Sequence, residues 1–208
     1  GKAGFTTSSG GTTQAGMAGP YSIAYSTTTG ILYVGQEQSR RVTTYNIGDG
    51  ITNGENAVSV LGQANFTTNQ FSSVGASTTA GVMGVALDDT HNRLFVADYG
   101  KNRVLVFDVS SITNGEDAIS VLGQVDFTTS TTTATQGGLN SPRGLKYDNG
   151  SNRLFVADYN NSRVVVYNVA TTTNGEKAIN VLGQSNFTTW INSQASYPTT
   201  QSSLARAM

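Results

Sequence analysis

The sequence predicts an all-β chain assembled from tandem four-stranded units, and three observations carry that prediction. One phrase returns three times: VLGQANFTT at 60–68, VLGQVDFTT at 121–129 and VLGQSNFTT at 181–189. Short runs rich in Val, Ile, Leu, Phe and Tyr recur between clusters of turn residues. No segment carries a convincing 3.6-residue apolar period.

The repeat keeps time at several landmarks. The phrase starts at Val60, Val121 and Val181, intervals of 61 and 60 residues. TNGE stands at 52–55, 113–116 and 173–176. NRLFVADY stands at 92–99 and 152–159, with a worn copy, GILYVGQ, at 30–36. RVLVFDV at 103–109 matches RVVVYNV at 163–169 and RVTTYNI at 41–47.

The second unit shows each element in order. Strands are expected at 84–88, 93–99, 103–109 and 118–124. DDTHN supplies the first turn, GKN the second, and the Asn-Gly of TNGE the third, where a positive φ costs little. The two middle strands are nearly continuously apolar, whereas a sheet with one wet face would alternate. Each sheet is therefore expected to be covered on both faces. Tandem four-stranded sheets that cover one another are the blades of a β-propeller, with an open solenoid of stacked sheets as the alternative.

These residues resemble the NHL repeat, the blade unit of one β-propeller class. The third unit carries the likeness in GLKYDNGSNRLFVADYNNSRVVVYNV, with Pro142 and Gly144 before the inner strand and Asp148 after it. The second matches at GVALDDTHNRLFVADYGKNRVLVFD, with Val82 in place of the Pro. In the first, Gly35 is read as replacing the Asp of VAD. The resemblance covers about 25 residues of each unit. It implies the fold and leaves the function open, because the family includes enzymes, RNA binders and protein-binding scaffolds.

One repeat domain, 1–208, is expected, with blades at 21–63, 82–124 and 143–184 and linkers at 1–20, 64–81, 125–142 and 185–208. Propellers typically close with four to eight blades. GKAGFTT at the start aligns with GQANFTT, placing Phe5 with Phe66, Phe127 and Phe187, and the last linker leads toward a further inner strand. Two readings stand: a piece of a longer propeller, or two copies joined as half-rings into six blades. An open array of blades is a third. The expected partners are further blades, from a second copy or the rest of a longer chain.

Strand direction alternates, so the second-to-third strand turns share one face with the long linkers. Long loops of this kind tend to carry function. Binding candidates on that face are Tyr99, Lys101, Asn102, Tyr159, Asn160, Asn161 and the single tryptophan, Trp190. Aromatic and amide side chains together suit sugar or peptide ligands. Asn65, Asn149, Asn160 and Asn186 lie in N-x-S/T sequons and are possible glycosylation sites.

Other groups read as structural. Asp98 and Asp158 precede Arg103 and Arg163 by five residues, which suggests an ion pair across the turn in each blade. Repetition marks fold maintenance, whereas catalysis needs an asymmetric constellation. His91, the only histidine, is read as a turn residue. NHL-like lyases are metal-dependent and use several histidines, which this chain does not supply by itself. Glu55, Glu116 and Glu176 could approach Ca²⁺ with Asp49 or Asp108, but the dense Asp-x-Asp-x-Asp pattern of a calcium loop is missing. No metal or cofactor is expected.

Composition narrows the classes. Charged residues are 12% of the chain, against roughly 25% in ordinary domains. With a formal net charge of −1, no global field draws the chain to nucleic acid. There are no cysteines, hence no disulfide and no thiolate site. No apolar stretch approaches 18 residues, so no membrane span is expected. The start shows neither Met nor an apolar signal region, as in a processed or cut chain. The expected function is a non-enzymatic binding or structural module of a secreted or cell-surface protein, mediating protein or glycan contacts or assembly. The alternative is an NHL-like lyase or hydrolase whose axial site is completed by blades absent from this chain.

Overall fold

The computed structural model describes residues 10–188. Among these residues, twelve strands form three separate four-stranded antiparallel sheets. Blade 1 contains β1 (Pro20–Tyr25), β2 (Ile31–Gln36), β3 (Arg41–Asn46) and β4 (Ser59–Leu61). Blade 2 contains β5 (Val82–Asp88), β6 (Arg93–Asp98), β7 (Arg103–Asp108) and β8 (Ser120–Leu122). Blade 3 contains β9 (Pro142–Asp148), β10 (Arg153–Asp158), β11 (Arg163–Asn168) and β12 (Asn180–Leu182). Within every sheet the spatial order follows the chain.

Burial follows the predicted two-sided cover. Every residue of β6 is buried. Its alternate side chains divide between two cores. Leu94 and Val96 join the core between blades 1 and 2, with Tyr33, Val42, Phe107 and Val121. Phe95 joins the core between blades 2 and 3, with Val106, Leu122, Tyr147, Leu154 and Tyr167. A smaller core on the far side of blade 1 holds Val34, Tyr45 and Ala57. Fully burying one such side chain contributes roughly 1.5–3 kcal/mol, so the blades hold one another.

The inner strands lie side by side, with β5 against both β1 and β9. Gly84 sets how close they come: an added Cβ would sit 2.0 Å from the Arg143 carbonyl oxygen. The outer strands are shorter than the sequence suggests, three residues each. They stop at Leu61, Leu122 and Leu182, and the next glycine turns the chain with φ of 79, 82 and 86°.

The repeated phrase now has a structure. After each outer strand a glutamine ties the linker to the blade's second turn. Gln63 Nε2 donates to the Arg40 and Gln70 carbonyls, and Gln124 Nε2 to those of Asn102 and Thr131. The phenylalanines fold back onto the blade just completed: Phe66 packs on the far-side core of blade 1, Phe127 on the core between blades 1 and 2, and Phe187 on that between blades 2 and 3.

The register corrects one reading. Gln36, and not Gly35, holds the place of the VAD aspartate. Gln36 pairs with Arg41 just as Asp98 pairs with Arg103 and Asp158 with Arg163. The worn copy thus ends on Gln36 at the aspartate position.

Candidate functional site

Each blade carries one fully buried arginine at the start of its third strand: Arg41, Arg103 and Arg163. Arg103 Nε donates to Asp98 Oδ2 at 2.9 Å, and Arg163 Nε to Asp158 Oδ2 at 2.7 Å. The other carboxylate oxygen accepts the Ala80 amide in blade 2 and the Asn140 amide in blade 3, both at 2.7 Å. The remaining guanidinium donors reach backbone carbonyls. Arg103 bonds those of Phe127, Gly75 and Thr78, and Arg163 those of Phe187, Thr135 and Gly138. One side chain therefore pins the linker that enters the blade and the linker that leaves it. Burial pushes both aspartates up, against the pull of their arginines. Among the described residues Arg41 has the neutral Gln36 as its side-chain hydrogen-bond partner, and burial lowers it from the ordinary arginine value.

The predicted binding residues share the linker face but divide into two groups. Asn102 and Asn161 are buried. Asn102 Nδ2 donates to the Ser130 carbonyl, and its Oδ1 accepts the Ser141 amide. Asn161 Nδ2 donates to the Thr133 carbonyl and to Asp158 Oδ2. These two asparagines hold linkers. Tyr99, Lys101 and Tyr159 are half-buried, and Asn160 is exposed. Asn160 Nδ2 donates to Asn140 Oδ1 and Ser141 Oγ. Trp190 lies outside the described residues.

The face also holds groups that the sequence reading did not select. Phe71 is 56% exposed in the first linker. The Arg40 guanidinium lies 4.9 Å from its ring centre and the Lys101 ammonium 5.3 Å. Arg40 NH1 donates to Asn69 Oδ1, and Asn69 Nδ2 to the Gln38 carbonyl, so the second turn of blade 1 holds the first linker there. A second cation–π pair lies further along, with the Arg143 guanidinium 3.5 Å from the Tyr159 ring centre. The available signal was a departure from the repeat: Phe71 stands where the second linker has Thr132.

The remaining candidates act locally. Oδ1 of Asn65 accepts the Thr67 and Thr68 amides, and Oδ1 of Asp126 accepts those of Thr128 and Thr129. Asn186 Oδ1 accepts the Thr188 amide. All four sequon asparagines, Asn65, Asn149, Asn160 and Asn186, are exposed. His91 Nδ1 lies 2.9 Å from Asp88 Oδ2, which also takes Arg93 NH2 at 2.6 Å. Burial raises Asp88, but the bonds from Arg93 and His91 outweigh it and the net shift is downward. Glu55, Glu116 and Glu176 accept the amides of Thr52, Thr113 and Thr173 in their own turns. Among the described residues, no three of His, Asp and Glu gather where an ion could sit.

The family model of the NHL repeat matches residues 139–167. No curated protein matches the chain. Among solved structures, that of U3-55K is similar at a TM-score of 0.53 and 13% identity, over 79% of this chain and 39% of that one. The RRP9 WD40 repeats give 0.52 and 14%, over 79% and 38%. Hydrazine synthase of Kuenenia stuttgartiensis gives 0.53 and 13%, over 82% and 37%. The chain thus spans less than two fifths of the length of each of these chains. At such identities the likeness is one of fold. Residues 139–167 match the NHL repeat, and the three sheets are blades of the β-propeller fold.

Proposed function

We propose that the chain is a non-enzymatic binding module of a secreted or cell-surface protein, engaging an acidic protein or glycan ligand through its linker face. The observation that carries this is Phe71, exposed between Arg40 and Lys101. The repeated arginines are spent on linkers inside the blades, whereas these two cations stand beside an aromatic ring at the surface. A cation beside an aromatic face binds carboxylates or sulfates while the ring covers the apolar part of the ligand. The four exposed sequon asparagines support a glycosylated extracellular setting.

An array of acidic peptides and acidic glycans, probed with the parent chain and with Phe71→Ala/Lys101→Glu, tests the reading. Capture by the parent and at least tenfold weaker capture by the variant are expected. Turnover of a small ester or lactone by the parent would instead favour a lyase or hydrolase. The feature that keeps this second reading in view is Lys146, the exposed cation of an inner strand.

A further inference from the structure

Where blades 2 and 3 join, the second linker lies against the end of β8 and the TNGE loop of blade 3. The three segments bound an open cleft of about 430 Å³. That size falls within the range of about 300–1,000 Å³ usual for small-ligand sites. Every residue that lines it falls between 123 and 177, so the cleft is whole within the described residues. It shares no residue with Arg40, Phe71 and Lys101, and is a site in its own right.

Its walls follow the repeat. Gly123 turns the chain at a φ of 82°, and the Gly175 amide, bonded to the Val121 carbonyl at 3.2 Å, sets the TNGE loop against β8. Gln124 is spent on the linker, donating to the Thr131 carbonyl and accepting the Thr131 amide. The junction between blades 1 and 2 repeats these bonds with Gly115 and Gln63. Its other positions match through the backbone. The Ala76 carbonyl accepts the Ala118 amide where the Gln136 carbonyl accepts the Ala178 amide. Arg103 bonds the Gly75 carbonyl where Arg163 bonds that of Thr135. The side chains, however, differ. The first junction has Gly75, Ala76 and Asp117 where the second has Thr135, Gln136 and Lys177. A hydroxyl, an amide and a cation thus enter one cleft together, and upkeep of the fold does not require them.

Among the described residues the lining holds one charge, Lys177, and no carboxylate, and Lys177 enters no ion pair. Threonines line the cleft at 129, 131, 133 and 135, every second position, as side chains of an extended segment do. The Thr133 and Thr135 hydroxyls lie 3.3 Å apart and share one hydrogen bond, which leaves one hydroxyl hydrogen and further lone pairs for a ligand. Gln136 gives Nε2 to the Ala178 carbonyl at 2.9 Å and keeps Oε1 as an acceptor. Acceptors beside a cation suit a ligand that brings both O–H donors and a negative charge. A bare oxyanion offers Gln136 no donor, and a neutral sugar offers Lys177 no counter-charge. We propose that the cleft binds a sugar acid, one monosaccharide unit whose hydroxyls meet Thr133, Thr135 and Gln136 and whose carboxylate meets Lys177.

Glucuronate is the probe, titrated into the isotope-labelled chain and followed by amide chemical shifts. Saturable shifts are expected at Gly137, Gly138 and Gly175, with acetate and glucose each binding at least about tenfold more weakly. Lys177→Glu is expected to weaken glucuronate by at least about tenfold as well. The fold accepts a carboxylate there, since Asp117 holds that place one junction earlier. Gly137→Leu tests the volume instead of the charge. A Cβ at Gly137 would meet nothing nearer than Lys177 Cγ, at 4.0 Å, so the new side chain fills the cleft without displacing backbone. It is expected to abolish the shifts at Gly138 and Gly175. Absence of saturable shifts in the parent overturns the proposal. Undiminished binding by either variant does so too, because the sugar then sits elsewhere. Acetate as tight as glucuronate would reduce the cleft to a bare anion contact, and glucose as tight would leave Lys177 without a role. Either result overturns the assignment of a sugar acid.

Discussion

At the scale of the residue, the buried arginines decide how firmly the linkers are held. Arg103 and Arg163 keep four named acceptors each in a shell that excludes water, and a carboxylate balances each charge. Removing the carboxylate leaves the guanidinium buried with carbonyl dipoles alone. Breaking such a pair costs about 3–5 kcal/mol. Asp98→Ala is therefore expected to lower the unfolding free energy read from urea titration by that amount, with the β-sheet signal retained at low temperature. A loss below about 1 kcal/mol, the usual worth of a surface pair, would show that Arg103 is solvated instead. Blade 1 is the internal comparison. Gln36 supplies Arg41 with a neutral acceptor and gives its own Nε2 to Thr43 Oγ1. The Asp–Arg pair was legible in the sequence because five residues span the turn. The bonds to Phe127, Gly75 and Thr78 were not, because they join positions 24–28 residues away that only the linker path brings together.

At the scale of the element, the outer strands show why local reading stops short. Their three residues bury few side chains of their own, and the pattern AISVLGQ reads equally well as a seven-residue strand. What ends them is the glycine after Leu122, and what secures their free edge is a loop of the next blade, more than 50 residues on. Nothing in the TNGE spacing announces that its asparagine accepts from another sheet. That loop clasps the strand: Asn114 Oδ1 accepts the Val60 amide, and the Gly115 amide donates to the Val60 carbonyl. Asn114→Ala removes the acceptor of the Val60 amide, a group at a fully buried residue, and an unmatched buried donor costs roughly 1–3 kcal/mol. Hydrogen exchange should localise the effect. The Val60 amide is expected to exchange faster in the variant, while the Val121 amide, held by Asn174, keeps its protection. Equal acceleration at both, or at neither, would contradict the clasp as the local restraint. Phe71 teaches the same lesson from the other side, since its meaning depends on Arg40 and Lys101, which belong to different blades.

At the scale of the whole molecule, stability depends on cores that belong to pairs of blades, and each core contains a tyrosine. Tyr45 lies in the far-side core of blade 1, Tyr33 between blades 1 and 2, and Tyr167 between blades 2 and 3. Burial disfavours the phenolate. It raises Tyr45 and Tyr167, and it pushes Tyr33 up to about 12, with the nearby Asp89 adding to the effect. The unfolded chain releases these protons near the ordinary tyrosine value of about 10. Above that pH the folded state binds more protons than the unfolded one, so stability falls as pH rises. Below it both states hold their protons and the contribution is complete. The melting temperature is therefore expected to stay level from pH 8 to the onset of tyrosine ionisation, and to drop between about pH 10 and 12. Because the cores share blades, the loss should appear as one cooperative transition followed equally by tyrosine absorbance at 295 nm and by circular dichroism. Tyr33→Phe keeps the ring in its core and removes the proton. It is expected to make the alkaline drop shallower while leaving the melting temperature at pH 8 within a few degrees. A level profile through pH 12 in the parent, or an unchanged slope in the variant, would mean that the ring of Tyr33 is not sealed between the first two blades.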